Sequence, residues 1–257
     1  MSRCGSTVPQ VKSGSGCSGS SGKDHQRFPS RGHLARNLDL TLDELVHDLS
    51  LDNEQSGAET VYCYIVDSVH ISDELMQQRG SGPNIEGGVI TLCTCKHWMR
   101  SYRDAKVWES DRVWIAGFTG KNRPGPTNRL FYLMRVGASF ESQCELWNAV
   151  VLTDDAKKAK SASRNRLGDL FEPLASGNPF DPSSYRKPVD DHSHIENLGW
   201  HKDIDYVGCG KRQPALLVGD KNDSYLWRDP KIEIGKALSR GQKKMTMNEF
   251  FEQIREV

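Results

Sequence analysis

Three stretches of the sequence concentrate side chains able to do chemistry. The first is Cys93-Thr94-Cys95-Lys96-His97, with Trp98, Arg100 and Arg103 just beyond. On an extended strand Cys93 and Cys95 share one face, and a neighbouring cation favours the thiolate. The pair therefore reads as buried structural thiols, as a nucleophile or as two metal ligands. Its one-residue spacing is not that of a zinc knuckle. Lys96 and Arg100 suit a phosphate or a base edge, and Trp98 beside them is expected to be partly exposed, a ring on which a base can stack. The other tryptophans nearby, Trp114 above all, read as core.

The second stretch is Asp190-Asp191-His192-Ser193-His194, followed by His201, Lys202 and Asp203. His192 and His194 with Asp191 or Asp203 are donor types for a divalent metal. A His–Asp pair serves equally for acid–base work near neutral pH, and a polar surface loop is the plain alternative. The third stretch is basic: Lys157, Lys158, Lys160, Arg164 and Arg166. No aromatic residue interleaves it, so it reads as a solvated helix end or as a phosphate-contacting patch.

Composition limits what these residues can serve. The 257-residue chain carries 34 Lys+Arg against 34 Asp+Glu, a net charge of +0. Attachment to nucleic acid by bulk positive charge is thereby excluded, while a local basic patch is not. No stretch approaches the about 18 consecutive apolar residues of a membrane span. The Ser/Gly-rich start lacks the apolar core of a secretory signal, and residues 1–36 are expected to be disordered, because such sequence buries too little to offset its ordering entropy. Seven cysteines, an odd number, fit thiols in a reducing compartment, so a cytoplasmic location is expected.

The elements that must position these groups follow from pattern. Leu42, Leu45, Val46 and Leu49 recur at helical spacing, and Thr41 with Glu44 forms a capping box. This helix within 38–51 either docks on the domain's own core or recruits a protein partner. Strands are expected at 60–67, 88–95, 112–118 and 129–138, the first two separated by a loop at 68–88 and the last two joined as a hairpin across the Gly/Pro-rich turn 120–128. A helix is expected from Ser139 to about Leu152. Two short strands, 214–220 and 224–229, are expected around a turn at 221–223, and a second capped helix begins at Thr246 with Glu249. Dinucleotide-binding, phosphate-loop and nucleophile-elbow motifs are absent from the sequence.

The order of these pieces carries a resemblance. YCYIVD, GPNIEGG leading into TLCTCKHWMR, ESDRVWIAGF, RLFYLMRV, NRLGDLFEP, the HSH loop with KDI, and LLVGDKNDSYLW follow one another. Over roughly residues 60–235 the chain resembles the second type of nucleotide-modification-associated domain, a family met near DNA base-modification and phage-defence genes. The resemblance implies a polar site at Asn84, Cys95, Lys96, Arg100, Asp111, Asp169, His192 or His194, and Asp203. More distantly, the strand order resembles the barrel of pseudouridine-synthase-associated domains, where a pocket holds a flipped nucleotide.

The expectation is therefore an α+β domain over 60–257: a small, mixed, mostly antiparallel, β-barrel-like sheet with a few flanking helices. A helix-and-linker segment, 37–59, and the tail precede it. Its ligand would be a nucleotide or nucleic acid, modified or plain. Lys96 and Arg100 would meet phosphate, Trp98 would stack on the base, and Asn84 and Asp169 would read its edge. The alternatives are a metal-dependent enzyme using His192, His194 and Asp203, and a non-catalytic scaffold acting through helix 38–51.

Overall fold

A central sheet organises the chain, built from strands that are apolar on both faces. The computed structural model describes residues 26–27, 38–51, 58–72, 75–78, 82–94, 96–120, 127–161, 170–174, 177–187, 200–206, 212–235, 238 and 241–257. In β2 (Thr60–Val66), Tyr62, Tyr64 and Val66 enter one apolar cluster while Val61 and Cys63 enter another. Trp114, Ile115 and Ala116 alternate likewise in β6 (Trp114–Thr119), and β7 (Leu130–Phe140) also sends side chains into both clusters. A strand whose two faces are both buried reads as a continuous apolar run, which is why these three were visible in the sequence.

The sheet has six strands in the order β10-β2-β6-β7-β8-β5. Here β5 is Thr91–Leu92, β8 is Leu216–Leu226 and β10 is Gln242–Thr246. β2 and β6 are parallel; every other pair is antiparallel. The edge strands β10 and β5 do not pair with each other, so the sheet is open and the expected barrel is not formed. The two-residue β5 is too short to offer a ladder that would close it.

Three further expectations are corrected, and of the tail two residues alone are described. Segment 68–88 holds a hairpin rather than only loop: β3 (Val69–Ser72) pairs with β4 (Leu75–Gln78). Within 1–36 only Gln26–Arg27 are described, and there β1 pairs with β4. The helix expected from Ser139 starts later: β7 continues to Phe140, which pairs with Leu216, and α4 (Gln143–Asn148) is capped by Ser142. The hairpin expected within 214–229 is one strand with a bulge. Arg135 reaches both Asp220 and Asp223 there, drawing the acidic residues together beside the ladder.

Helices seal the two faces. α1 (Leu42–Leu51) places Leu45 and Leu49 against Val61, Trp114 and Phe250, the last from α7 (Met247–Gln253). Segment 38–51 thus shares the domain's own core. α2 (His97–Arg100) and α3 (Ala105–Ser110) cover the other face with Met99, Ala105 and Trp108. α5 (Asp154–Ser161) packs at the β5–β8 edge through Ala156. The last strands, β9 (Ile232–Ile234) and β11 (Ile254–Glu256), pair with each other. Among the described residues no helix is long and apolar enough to cross a membrane.

Candidate functional site

The site grows from the end of β5. The chain leaves the strand at Leu92 and enters α2 at His97, and Lys96 makes that turn in the left-handed region, φ 58 and ψ 42. A side chain with a Cβ rarely adopts this conformation, and such strain concentrates at functional sites. Lys96 Nζ lies 5.1 Å from the centroid of the Tyr64 ring, a cation–π contact. Tyr64 is itself buried, its hydroxyl 2.6 Å from that of Tyr132.

His97 is the first residue of α2. Its Nε2 lies 2.5 Å from Oδ1 of Asp203, whose side chain is 1% exposed. Asp203 comes from α6 (His201–Ile204), a single turn seated by Trp200, which packs on Phe171. The His97 ring is stacked on Tyr206, with 5.1 Å between centroids and 4° between planes. With Nε2 protonated toward the carboxylate, a neutral ring would hold Nδ1 as an acceptor.

Trp98 follows and is 64% exposed; Tyr102, one turn on, is 56% exposed. Trp108, Trp114, Trp200 and Trp227 are all buried, so the expectation that Trp98 faces solvent and Trp114 the core holds. Arg212 donates to the Tyr102 carbonyl at 3.4 Å and pairs with Asp104 at 3.3 Å, which places a cation beside the Tyr102 backbone.

The remaining expected residues lie elsewhere or play other parts. Arg100 is 1% exposed and donates to the carbonyls of Ala215 (2.6 Å) and Pro214 (3.4 Å). It ties α2 to β8, and a guanidinium so enclosed does not face a phosphate at the surface. Asn84 is buried and bridges Thr91 through the backbone. Its carbonyl accepts from Lys160 Nζ at 2.8 Å, and its amide donates to the Lys160 carbonyl at 3.3 Å. Lys160 also donates to Val89 O (2.7 Å) and Thr91 Oγ1 (3.2 Å) and is 1% exposed. This member of the basic run is an internal pin for the 84–91 segment, not a solvated charge. Gly87 permits the close approach: φ is +76, and a Cβ there would lie 2.7 Å from Ala156 Cα. Asp111 is exposed and paired with Arg103, which lies over the Trp108 ring. Cys95, Asp169, His192 and His194 lie outside the described residues.

The structure therefore unites Lys96, Trp98 and Asp203 through a residue not chosen as a site residue from sequence, His97. The available signal was its place in the Cys-Thr-Cys-Lys-His run, between a cation and an exposed tryptophan. Its partner lies 106 residues away. Among the described residues no group of three or more His, Cys, Asp or Glu is placed to hold a metal ion. In comparisons with known proteins, no family model, curated protein or solved structure matches the chain.

Proposed function

We propose that the corner between β5 and α2 binds a nucleotide or a nucleic acid, modified or plain, in a reducing, cytoplasmic setting. The observation that carries this reading is Trp98: it is 64% exposed, Tyr102 four residues on is 56% exposed, and Lys96 lies two residues before it. Every base has a π-face, and stacking on an exposed ring contributes about 1–3 kcal/mol per base. To meet a phosphate, Lys96 would turn its Nζ away from the Tyr64 ring, and Arg212, paired with Asp104 on the adjoining segment, would add a second cation. The resemblance to nucleotide-modification-associated domains supports the same ligand class.

A thermal-shift panel tests the reading with AMP, single-stranded DNA and single-stranded RNA at rising salt. The expected result is stabilisation that declines with salt and is weakened across all ligands by Lys96→Ala. No shift with any member of the panel would overturn it.

A further inference from the structure

His97 and Asp203 form a pair that base stacking alone does not require. The carboxylate is almost wholly enclosed while the imidazole is 23% exposed, so the ring connects a buried charge to the surface. Nδ1 has no hydrogen-bond partner among the described residues, since the contacts of His97 are Asp203 through Nε2 and the Tyr206 ring. The stacked tyrosine and the carboxylate together fix the ring plane. A histidine held this way is oriented for proton transfer.

A second observation concerns the segments that carry the pair. Thr94 Oγ1, Trp200 Nε1 and Gln213 Oε1 are buried with no hydrogen-bond partner among the described residues. Thr94 lies on the turn into His97. Trp200 precedes α6, where its carbonyl accepts from Asp203 N at 3.0 Å. Gln213 donates to the Ile204 carbonyl at 3.2 Å. Leaving a buried polar group unpaired costs about 1–3 kcal/mol, so each of the three calls for an explanation, of which a polar ligand is one.

We infer that this corner is a hydrolytic site in which His97 acts as general base on a nucleotide phosphoester and Asp203 is its positioning residue. The inference rests on the nucleotide reading above. Phosphorus is the electrophile that a nucleotide supplies, and a lysine adjoins each member of the pair in sequence, Lys96 before His97 and Lys202 before Asp203. A water molecule loses a proton to Nδ1 as its oxygen bonds to phosphorus. The bond from phosphorus to the leaving oxygen breaks, and the proton on Nδ1 passes to that oxygen. The imidazolium formed between these transfers is balanced by Asp203.

The probe is the p-nitrophenyl ester of thymidine 5′-monophosphate, which combines a base and a phosphodiester with a coloured leaving group. The full chain is expected to release nitrophenolate above the buffer rate. His97→Gln lowers kcat at least about 100-fold. Asp203→Asn lowers kcat roughly tenfold or more, with a smaller change in KM. Free imidazole restores activity to His97→Ala, which a merely structural role for His97 would not allow. Quenching of tryptophan fluorescence by AMP is read in parallel on the unmodified chain. Quenching without nitrophenolate release, or release that His97→Gln leaves unchanged, overturns the hydrolytic inference alone. Release without quenching supports the hydrolytic step and overturns the stacking reading.

Discussion

Strand β8 meets a helix at each of its ends, and the polar groups there are satisfied in different ways. At the Leu226 end, Asp39 N donates to Leu226 O at 2.8 Å and Trp227 Nε1 donates to Leu40 O at 2.6 Å. Tyr225 donates to Asp48 at 2.6 Å, Arg228 pairs with Asp39 at 2.6 Å, and Glu256 accepts from Leu42 N at 3.0 Å. The cavity of about 250 Å³ beside Thr41, Trp227 and Lys231 is thus bordered by groups that already have partners. At the Leu216 end, Arg100 secures the Pro214 and Ala215 carbonyls, yet Thr94, Trp200 and Gln213 each keep a buried polar atom unpartnered among the described residues. At the Leu226 end the groups around the cavity are paired, though Arg129 Nε, close by at Pro230, is buried without a partner among the described residues. Both ends hold a non-glycine residue in the left-handed region, Asp39 at φ 57 and Lys96 at φ 58; what the Leu216 end adds is a histidine oriented by a buried carboxylate and an exposed tryptophan.

Substitutions sharpen this contrast. The largest expected effect is at the pin under the site: Lys160→Met strands the acceptors of Asn84, Val89 and Thr91 and should lower stability by about 3 kcal/mol, read from urea denaturation. Gly117→Ala comes next. A Cβ there would overlap the Tyr132 ring, an overpacking expected to cost about 1–3 kcal/mol by the same measurement. At the Leu226 end, Thr41→Ala removes the hydroxyl that caps Glu44 N at 3.2 Å and should cost about 1 kcal/mol.

Smaller effects follow pH and exposure. The backbone N–H of Thr41, then its hydroxyl, holds the Glu44 carboxyl below its ordinary 4.5, and Thr246 does the same for Glu249. These folded values lie below the unfolded ones, so the contribution is complete above about pH 4.5 and is lost as pH falls through the folded values. Acid titration followed by circular dichroism should show early fraying of α1 and α7, abolished in the double variant Glu44→Gln, Glu249→Gln. Burial pushes the Cys63 thiol up to about 12, so Cys63 should resist alkylation at pH 8 while the half-buried Cys144 reacts, as read by peptide mass mapping. Trp98→Ala should change stability by no more than about 0.5 kcal/mol, which would set it apart from its buried counterparts.

How much of this was legible in the sequence depended on whether the determinant is local. Both capping boxes were, since Thr41 with Glu44 and Thr246 with Glu249 act across one turn of chain. β2 and β6 were, because both of their faces are apolar. The continuity of β8 was not: Asp220-Lys221-Asn222-Asp223 has turn composition, and only Arg135 on the neighbouring strand makes it a bulge. The helix expected from Ser139 failed for a similar reason, because pairing of Phe140 with Leu216 prolongs the strand. Of the site, Lys96, Trp98 and Asp203 were visible as residue types. Their meeting at His97 was not, since a contact across 106 residues leaves no periodic trace.

The central claim is that the exposed ring at the β5–α2 corner carries ligand binding. Isothermal titration of AMP into the unmodified chain and into Trp98→Ala tests it most directly. The account predicts measurable binding that weakens by about 1–3 kcal/mol in the variant while both proteins melt alike. Equal affinity in the two proteins, or no binding to either, would contradict it.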